Sequence, residues 1–224
     1  MLYRLPWPEG AGYTITQAPG GWITTHIAVS NRYAVDIAMP EGTPVLAARA
    51  GVVADTESRH GGSPTEEAIT TCGNYVIVRH EDGTFATYAH LKHRGVEVKQ
   101  GEQVEAGRLL GYSGATGYAT GPHMHFGVSR WETVDGRRTE VSVPFKFYVG
   151  VPAVAFAPRA SLTITPNYSS AAEFPRIPSE KRLTPWNPPR QLKPEEMPGG
   201  WLRLAAWIAA AFAGMAWFWR FSRR

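Results

Sequence analysis

Apolar and polar residues alternate at a period of two over much of the chain. No long stretch before residue 200 carries the 3.6-residue period of an amphipathic helix. Short runs at 33–38, 44–48, 75–80, 85–90 and 123–129 are rich in β-branched and aromatic residues, and turns such as Glu81-Asp82-Gly83 break them. The pattern predicts an all-β domain, a compact antiparallel β-sandwich or barrel. Residues 55–73 are polar and glycine-containing, and read as a surface loop between strands.

The pattern changes after residue 160. Residues 166–198 hold 8 of the 18 prolines. Proline fixes φ and lacks a donor, so this stretch reads as an extended linker rather than a central strand or long helix. Residues 204–219 are 16 uncharged, apolar residues in a row. Counted from Trp201, with Arg203 snorkelling, the segment approaches the length of a membrane-spanning helix. Trp201, Trp207, Trp217 and Trp219 fall mainly towards its ends, and Arg220, Arg223 and Arg224 follow, which predicts a cytoplasmic C-terminus. The expected organisation is a domain at 1–160, a Pro-rich linker at 161–200, a transmembrane helix at 201–219 and a basic tail at 220–224. That topology sets the domain on the far side of the membrane, facing periplasm or cell wall. The first residues, Met1 to Pro8, show no basic segment followed by an apolar run, so no cleavable signal peptide is expected there.

Composition narrows the classes. One cysteine, Cys72, excludes an internal disulfide framework and a CxxC metal or redox site. The net charge of +4 belongs to the tail: residues 1–149 carry 13 Lys and Arg against 15 Asp and Glu, residues 150–224 carry 10 against 4. The domain therefore has no nucleic-acid footprint.

The candidate chemistry lies in histidines. Thr120-Gly121-Pro122 turns into His123-Met124-His125-Phe126, and on a strand positions two apart share a face. Both imidazoles then point one way, while Met124 and Phe126 point the other. Such a pair suits a divalent metal, or one ligand beside a base. Asp36 sits in an otherwise apolar strand, Tyr33-Ala34-Val35-Asp36-Ile37-Ala38, where a carboxylate needs a metal or an Arg partner. A catalytic zinc site takes three protein ligands and leaves one position open for water. His90, in Tyr88-Ala89-His90-Leu91, also follows a strand and is the candidate for moving a proton or stabilising an oxyanion. His80 reads as a strand-end residue, His60 and His93 as solvated loop residues, and Tyr88 as a strand former.

These motifs in this order resemble the lysostaphin/LytM-type zinc metalloendopeptidases, peptidoglycan hydrolases, over residues 20–150. Asp36 lies in Ala-Val-Asp-Ile-Ala-Met-Pro-x-Gly-Thr-Pro-Val. Tyr-Ala-His-Leu follows, then Ser113-Gly-x-Thr-Gly117 and His123-Met124-His125. Gly101 to Gly111 is similar to a hairpin the family shares with biotinyl and lipoyl carriers, but no lysine stands in its turn.

The resemblance implies a Zn2+ cofactor, Asp36 and His125 as metal ligands, and His90 and His123 as the two histidines acting on water and tetrahedral intermediate. It departs from the commonest family pattern at one place. That pattern has a His four residues before the Asp, and here the position is Arg32, which stays protonated and cannot ligate zinc. Some relatives space the first ligand further upstream, in a Thr-His followed by Asn and Tyr-Ala-Val-Asp. Thr25-His26 and Asn31-Arg32-Tyr33 resemble that arrangement, so His26 is expected as the third metal ligand; its other reading is an exposed loop histidine. The implied activity is endopeptidase hydrolysis of peptidoglycan cross-links. The alternative is a non-catalytic module of the same type that binds cell wall or activates a separate amidase. The implied partners are a peptidoglycan peptide and, through the C-terminal helix, the membrane.

Overall fold

The computed structural model describes residues 1–21, 24–61 and 73–169. They belong to the first of two units of the chain, Met1–Ile177; the second is Pro178–Arg224. The expected linker beyond 169, the membrane helix at 201–219, the basic tail and Cys72 lie outside the described residues. No helix among the described residues is long and apolar enough to cross a membrane.

The domain is all β. The chain begins with β1 (Leu2–Arg4), β2 (Tyr13–Gln17), β3 (Val35–Ala38), β4 (Pro44–Leu46) and β5 (Gly51–Glu57). It continues through β6 (Asn74–Arg79), β7 (Phe85–Val96), β8 (Gln103–Val104), β9 (Leu109–Ser113) and β10 (His123–Val134). It closes with β11 (Arg137–Ser142), β12 (Lys146–Val149), β13 (Val154–Phe156) and β14 (Thr163–Ile164). The large sheet runs β14-β2-β3-β10-β7-β6-β5-β8, with β11 paired to β10, and with β4 and β9 paired to each other and β9 to β7. A small sheet, β1-β12-β13, completes the fold, and its β1–β12 pair is parallel.

Strand alternation builds the core as the sequence predicts. In β10, Met124, Phe126 and Val128 are fully buried, while His123, His125 and Gly127 occupy the opposite face. Phe126 is the centre of an aromatic cluster, with ring centroids 5.1 Å from Phe145, 5.2 Å from Tyr88, 5.5 Å from Phe147 and 5.8 Å from Tyr3. Tyr88 is wholly buried there, and its hydroxyl accepts from the Ala48 amide at 2.7 Å.

Two boundaries differ from expectation. Asp55, Thr56 and Glu57 are not loop: they extend β5 and pair with Ile77, Val76 and Tyr75 of β6. The packed domain also runs past residue 160. Thr163 and Ile164 pair with β2, and the Tyr168 hydroxyl accepts from the Leu5 amide at 2.7 Å while Arg4 stacks 4.0 Å over its ring. Residues 163–168, expected as the start of the linker, are thus held by strand pairing and by a half-buried aromatic in a proline-containing stretch.

Candidate metal centre

Antiparallel pairing of β3 with β10 sets Asp36 directly opposite His125. Val35 and Ile37 turn into the core, so Asp36 faces outward onto the surface that carries His123 and His125. His125 Nδ1 lies 3.0 Å from Asp36 Oδ1, and His26 Nε2 lies 3.2 Å from the same oxygen. His26 comes from the segment before β3 and is buried, not an exposed loop residue. One donor atom from each of His26, Asp36 and His125 falls within 4.8 Å of the others, which is the arrangement three ligands of one ion require. Arg32 is exposed and takes no part in the cluster.

Two bulges put side chains where strict alternation would not. Tyr75 and Asn74 are adjacent in β6, yet they pair with Ala89 and Leu91 of β7, so His90 is the extra residue. Its φ is 63°, the left-handed region, and this turns its ring from the core side towards the metal face. Likewise Ile37 and Asp36 pair with Ile15 and Gln17, leaving Thr16 as the bulge in β2. That brings Gln17 opposite Asp36, and Gln17 Nε2 donates to Asp36 Oδ2 at 2.7 Å. Gln17 Oε1 also accepts from the Thr25 amide at 2.8 Å, so one side chain holds both Asp36 and the segment bearing His26.

The rings are oriented by backbone carbonyls. Nδ1–H of His26 donates to Ala34 O at 3.1 Å, that of His90 to Thr116 O at 2.7 Å, and that of His123 to Gly121 O at 2.8 Å. A carbonyl only accepts, so each of these histidines is the Nδ1–H tautomer with a lone pair on Nε2. The His90 and His123 ring centroids are 4.6 Å apart, those of His26 and His125 4.8 Å, and those of His90 and His125 5.9 Å. All five predicted residues therefore meet in one cluster. Gly127 keeps it open beside His125: a Cβ there would stand 3.3 Å from Ala34 Cβ and 3.7 Å from His125 Nε2.

Burial opposes ionisation of Asp36, but the hydrogen bond from His125, with the neighbouring His26 ring acting in the same direction, outweighs it and holds the carboxyl well below the usual carboxylate range. Burial, with the neighbouring His123 acting in the same direction, pushes His90 down to about 4, so it is neutral at pH 7. Two neutral imidazoles and one carboxylate fit Zn2+: the set mixes nitrogen and oxygen donors, leaves the bound ion formally at about +1, and has its carboxylate fixed from outside by Gln17.

The other histidines stand apart. His60 and Asn74 hold each other through backbone and amide groups, and His93 Nδ1–H donates to His60 O at 3.1 Å. His80 follows β6 as expected for a strand end, but it is buried. Its Nδ1–H donates to Ala50 O at 2.8 Å, while Nε2 has no partner.

Sequence reasoning missed two supporting residues. Gln17 carries no signal, because its role depends on the Thr16 bulge. Thr116 lies inside the recognised Ser-Gly-x-Thr-Gly motif, and its hydroxyl donates to Leu91 O at 2.7 Å and accepts from the Asn74 amide at 2.9 Å. Those bonds fix the turn whose carbonyl orients His90.

An outward-facing His and Asp cluster on a β-sheet scaffold defines a metallohydrolase-type centre, and sequence comparison gives its family. Residues 30–139 match the profile of peptidase family M23, and this domain belongs to that family. His26 lies just before the matched segment. The chain is 36% identical over 104 residues to peptidoglycan DD-endopeptidase ShyA of Vibrio cholerae, covering 46% of this chain and 21% of that protein. It is 37% identical over 107 residues to cell division protein DipM of Caulobacter vibrioides, covering 48% and 16%. It is 38% identical over 98 residues to glycyl-glycine endopeptidase ALE-1 of Staphylococcus capitis, covering 43% and 24%. The match thus spans about a quarter or less of each relative's length.

Proposed function

We propose that this protein is a zinc-dependent endopeptidase that hydrolyses peptide cross-links of bacterial peptidoglycan. The observation that carries the reading is the convergence of His26, Asp36 and His125 donor atoms within 4.8 Å, with His90 and His123 beside them. One relative named as a peptidoglycan DD-endopeptidase and another named as a glycyl-glycine endopeptidase support the substrate class. His26, Asp36 and His125 are the residues that would hold zinc, and zinc there supplies Lewis acidity towards a carbonyl and lowers the pKa of water.

The chain's own groups do the rest. Asp36 remains anionic and offsets part of the metal's charge. Gln17 keeps its second oxygen occupied, so that the carboxylate cannot rotate away. The Nε2 atoms of His90 and His123 are acceptors. One takes the proton of the attacking water and, as imidazolium, then donates to the oxygen that gains charge or to the leaving amine. Because carbonyls hold their Nδ1–H groups, neither ring has to reorient before the transfer.

The non-catalytic alternative rested on Arg32 standing where a ligand is usual. The position of His26, with Nε2 3.2 Å from Asp36 Oδ1, supports it in that role and so favours the catalytic reading over the alternative. The reading extends to placement: the apolar run at 204–219 and the arginines after it would tether the enzyme to the membrane with its domain on the cell-wall side. Fractionation of the full-length chain tests that placement, and recovery as a soluble cytoplasmic protein would overturn it.

The activity is tested by incubating zinc-loaded protein with purified cross-linked muropeptides and measuring new amino termini. The expected result is release that a chelator abolishes, zinc restores and His125→Ala lacks. Zinc-loaded protein that releases none would refute the reading.

A further inference from the structure

The metal strand does not end where the domain does. β10 pairs with β7 only as far as Ser129, opposite Phe85; beyond that residue it pairs with β11 alone, down to Val134 and Arg137. The result is a hairpin that extends past the body of the sheet. Its pairings show no register shift along β10, so the odd positions share one face from His123 through His125, Gly127, Ser129 and Trp131. Trp131 is 47% exposed on that face. The Arg138 guanidinium lies 4.9 Å over its ring, which fixes the indole and covers one side of it.

An indole this exposed costs solvation and contributes nothing to the core, so a ligand that covers its open side is the economical explanation. The hairpin's charges are balanced, with Arg130, Arg137 and Arg138 against Glu132, Asp135 and Glu140. It therefore favours a neutral ligand with an apolar face and hydroxyls, not a polyanion. Trp131 supplies the flat surface, and Arg138 and Thr133, which are cross-strand partners beside it, supply polar groups.

Trp131 lies six residue steps along the strand from His125, about 20 Å at about 3.3 Å per step. A stem peptide of about five extended residues spans about 17 Å. A scissile cross-link held at the metal thus leaves its parent sugar chain close to Trp131.

Resting on the endopeptidase reading, we infer that Trp131 and Arg138 form a glycan subsite, on which an amino-sugar ring of the peptidoglycan strand stacks while its stem peptide enters the metal centre. The site anchors the polymer through sugar and leaves choice of peptide bond to the groups around the metal.

The test uses the full-length zinc-loaded chain and uncharged glycan strands, β-1,4-linked N-acetylglucosamine oligomers that carry neither peptide nor carboxylate. Trp131→Ala is expected to weaken binding about tenfold or more, and Trp131→Phe to recover most of it. Trp131→Ala is also expected to raise KM for intact peptidoglycan by a similar factor. Zinc content and thermal midpoint report that both variants fold. Wild-type protein that does not bind the strands, or Trp131→Ala that binds them as wild type does, would overturn the subsite. The binding arm needs no hydrolysis: loss of glycan binding in Trp131→Ala supports the subsite even if no peptide is cut, an outcome that would instead defeat the endopeptidase reading.

Discussion

Gln17 is the most informative single residue outside the proposed metal ligands, because its two ends serve two of them. Its amide donates to Asp36 Oδ2 at 2.7 Å and accepts from the Thr25 amide at 2.8 Å, one residue from His26. Gln17→Leu keeps the volume and removes both bonds. A hydrogen bond to a charged group contributes about 1.5–3 kcal/mol, and loss of an outer-shell partner costs about 10–100-fold in metal affinity. The two scales agree, since 10–100-fold corresponds to about 1.4–2.8 kcal/mol. Zinc affinity of the Gln17→Leu protein, measured by competition with a chromogenic chelator at pH 7, should therefore fall by that factor. Thr14→Val, on the exposed part of the same strand where Thr14 bonds Thr163, is the control and should leave the affinity alone. A Gln17→Leu protein binding zinc within about twofold of wild type would refute the claim that Gln17 organises the centre.

Further outcomes follow from the same geometry. His90→Ala should lower kcat on cross-linked muropeptides by about 10²–10⁴ while keeping its zinc, measured by steady-state kinetics with metal analysis, because His90 faces the site without being one of the three donors. Phe126→Ala should cost about 3–5 kcal/mol in urea denaturation, since its ring packs against four aromatic neighbours. Burial holds the folded-state pKa of His80 below that of the unfolded chain, where it titrates near about 6.5. The unfolded state then binds more protons, so stability should fall as pH drops below about 6.5, and His80→Gln should flatten that slope by up to about 1.4 kcal/mol per pH unit.

Much of this was legible in the sequence for a physical reason: a strand's period of two is fixed by its geometry. It placed His123 and His125 on one face and Met124 and Phe126 in the core without any knowledge of the fold. Asp36 was legible because an ionised group in an apolar strand demands a partner, and its partners are His26 and His125 rather than an arginine. Three other features were not legible. The bulges at His90 and Thr16 break the period locally, and only tertiary pairing shows that they turn His90 and Gln17 towards the metal face. The extension of β5 to Glu57 runs through polar residues because the exposed side of that strand needs no apolar ones. Tyr168 lies among linker-like residues, and its packing against Arg4 and Tyr148 depends on contacts far away in sequence.

The central claim is that His26, not a residue at position 32, completes the zinc site. Zinc content of wild type, His26→Ala and Arg32→Ala, measured by mass spectrometry after gel filtration against a limiting chelator, tests it most directly. The account predicts about one zinc per chain in wild type and in Arg32→Ala, and loss of the metal in His26→Ala. Full zinc occupancy in His26→Ala would contradict it.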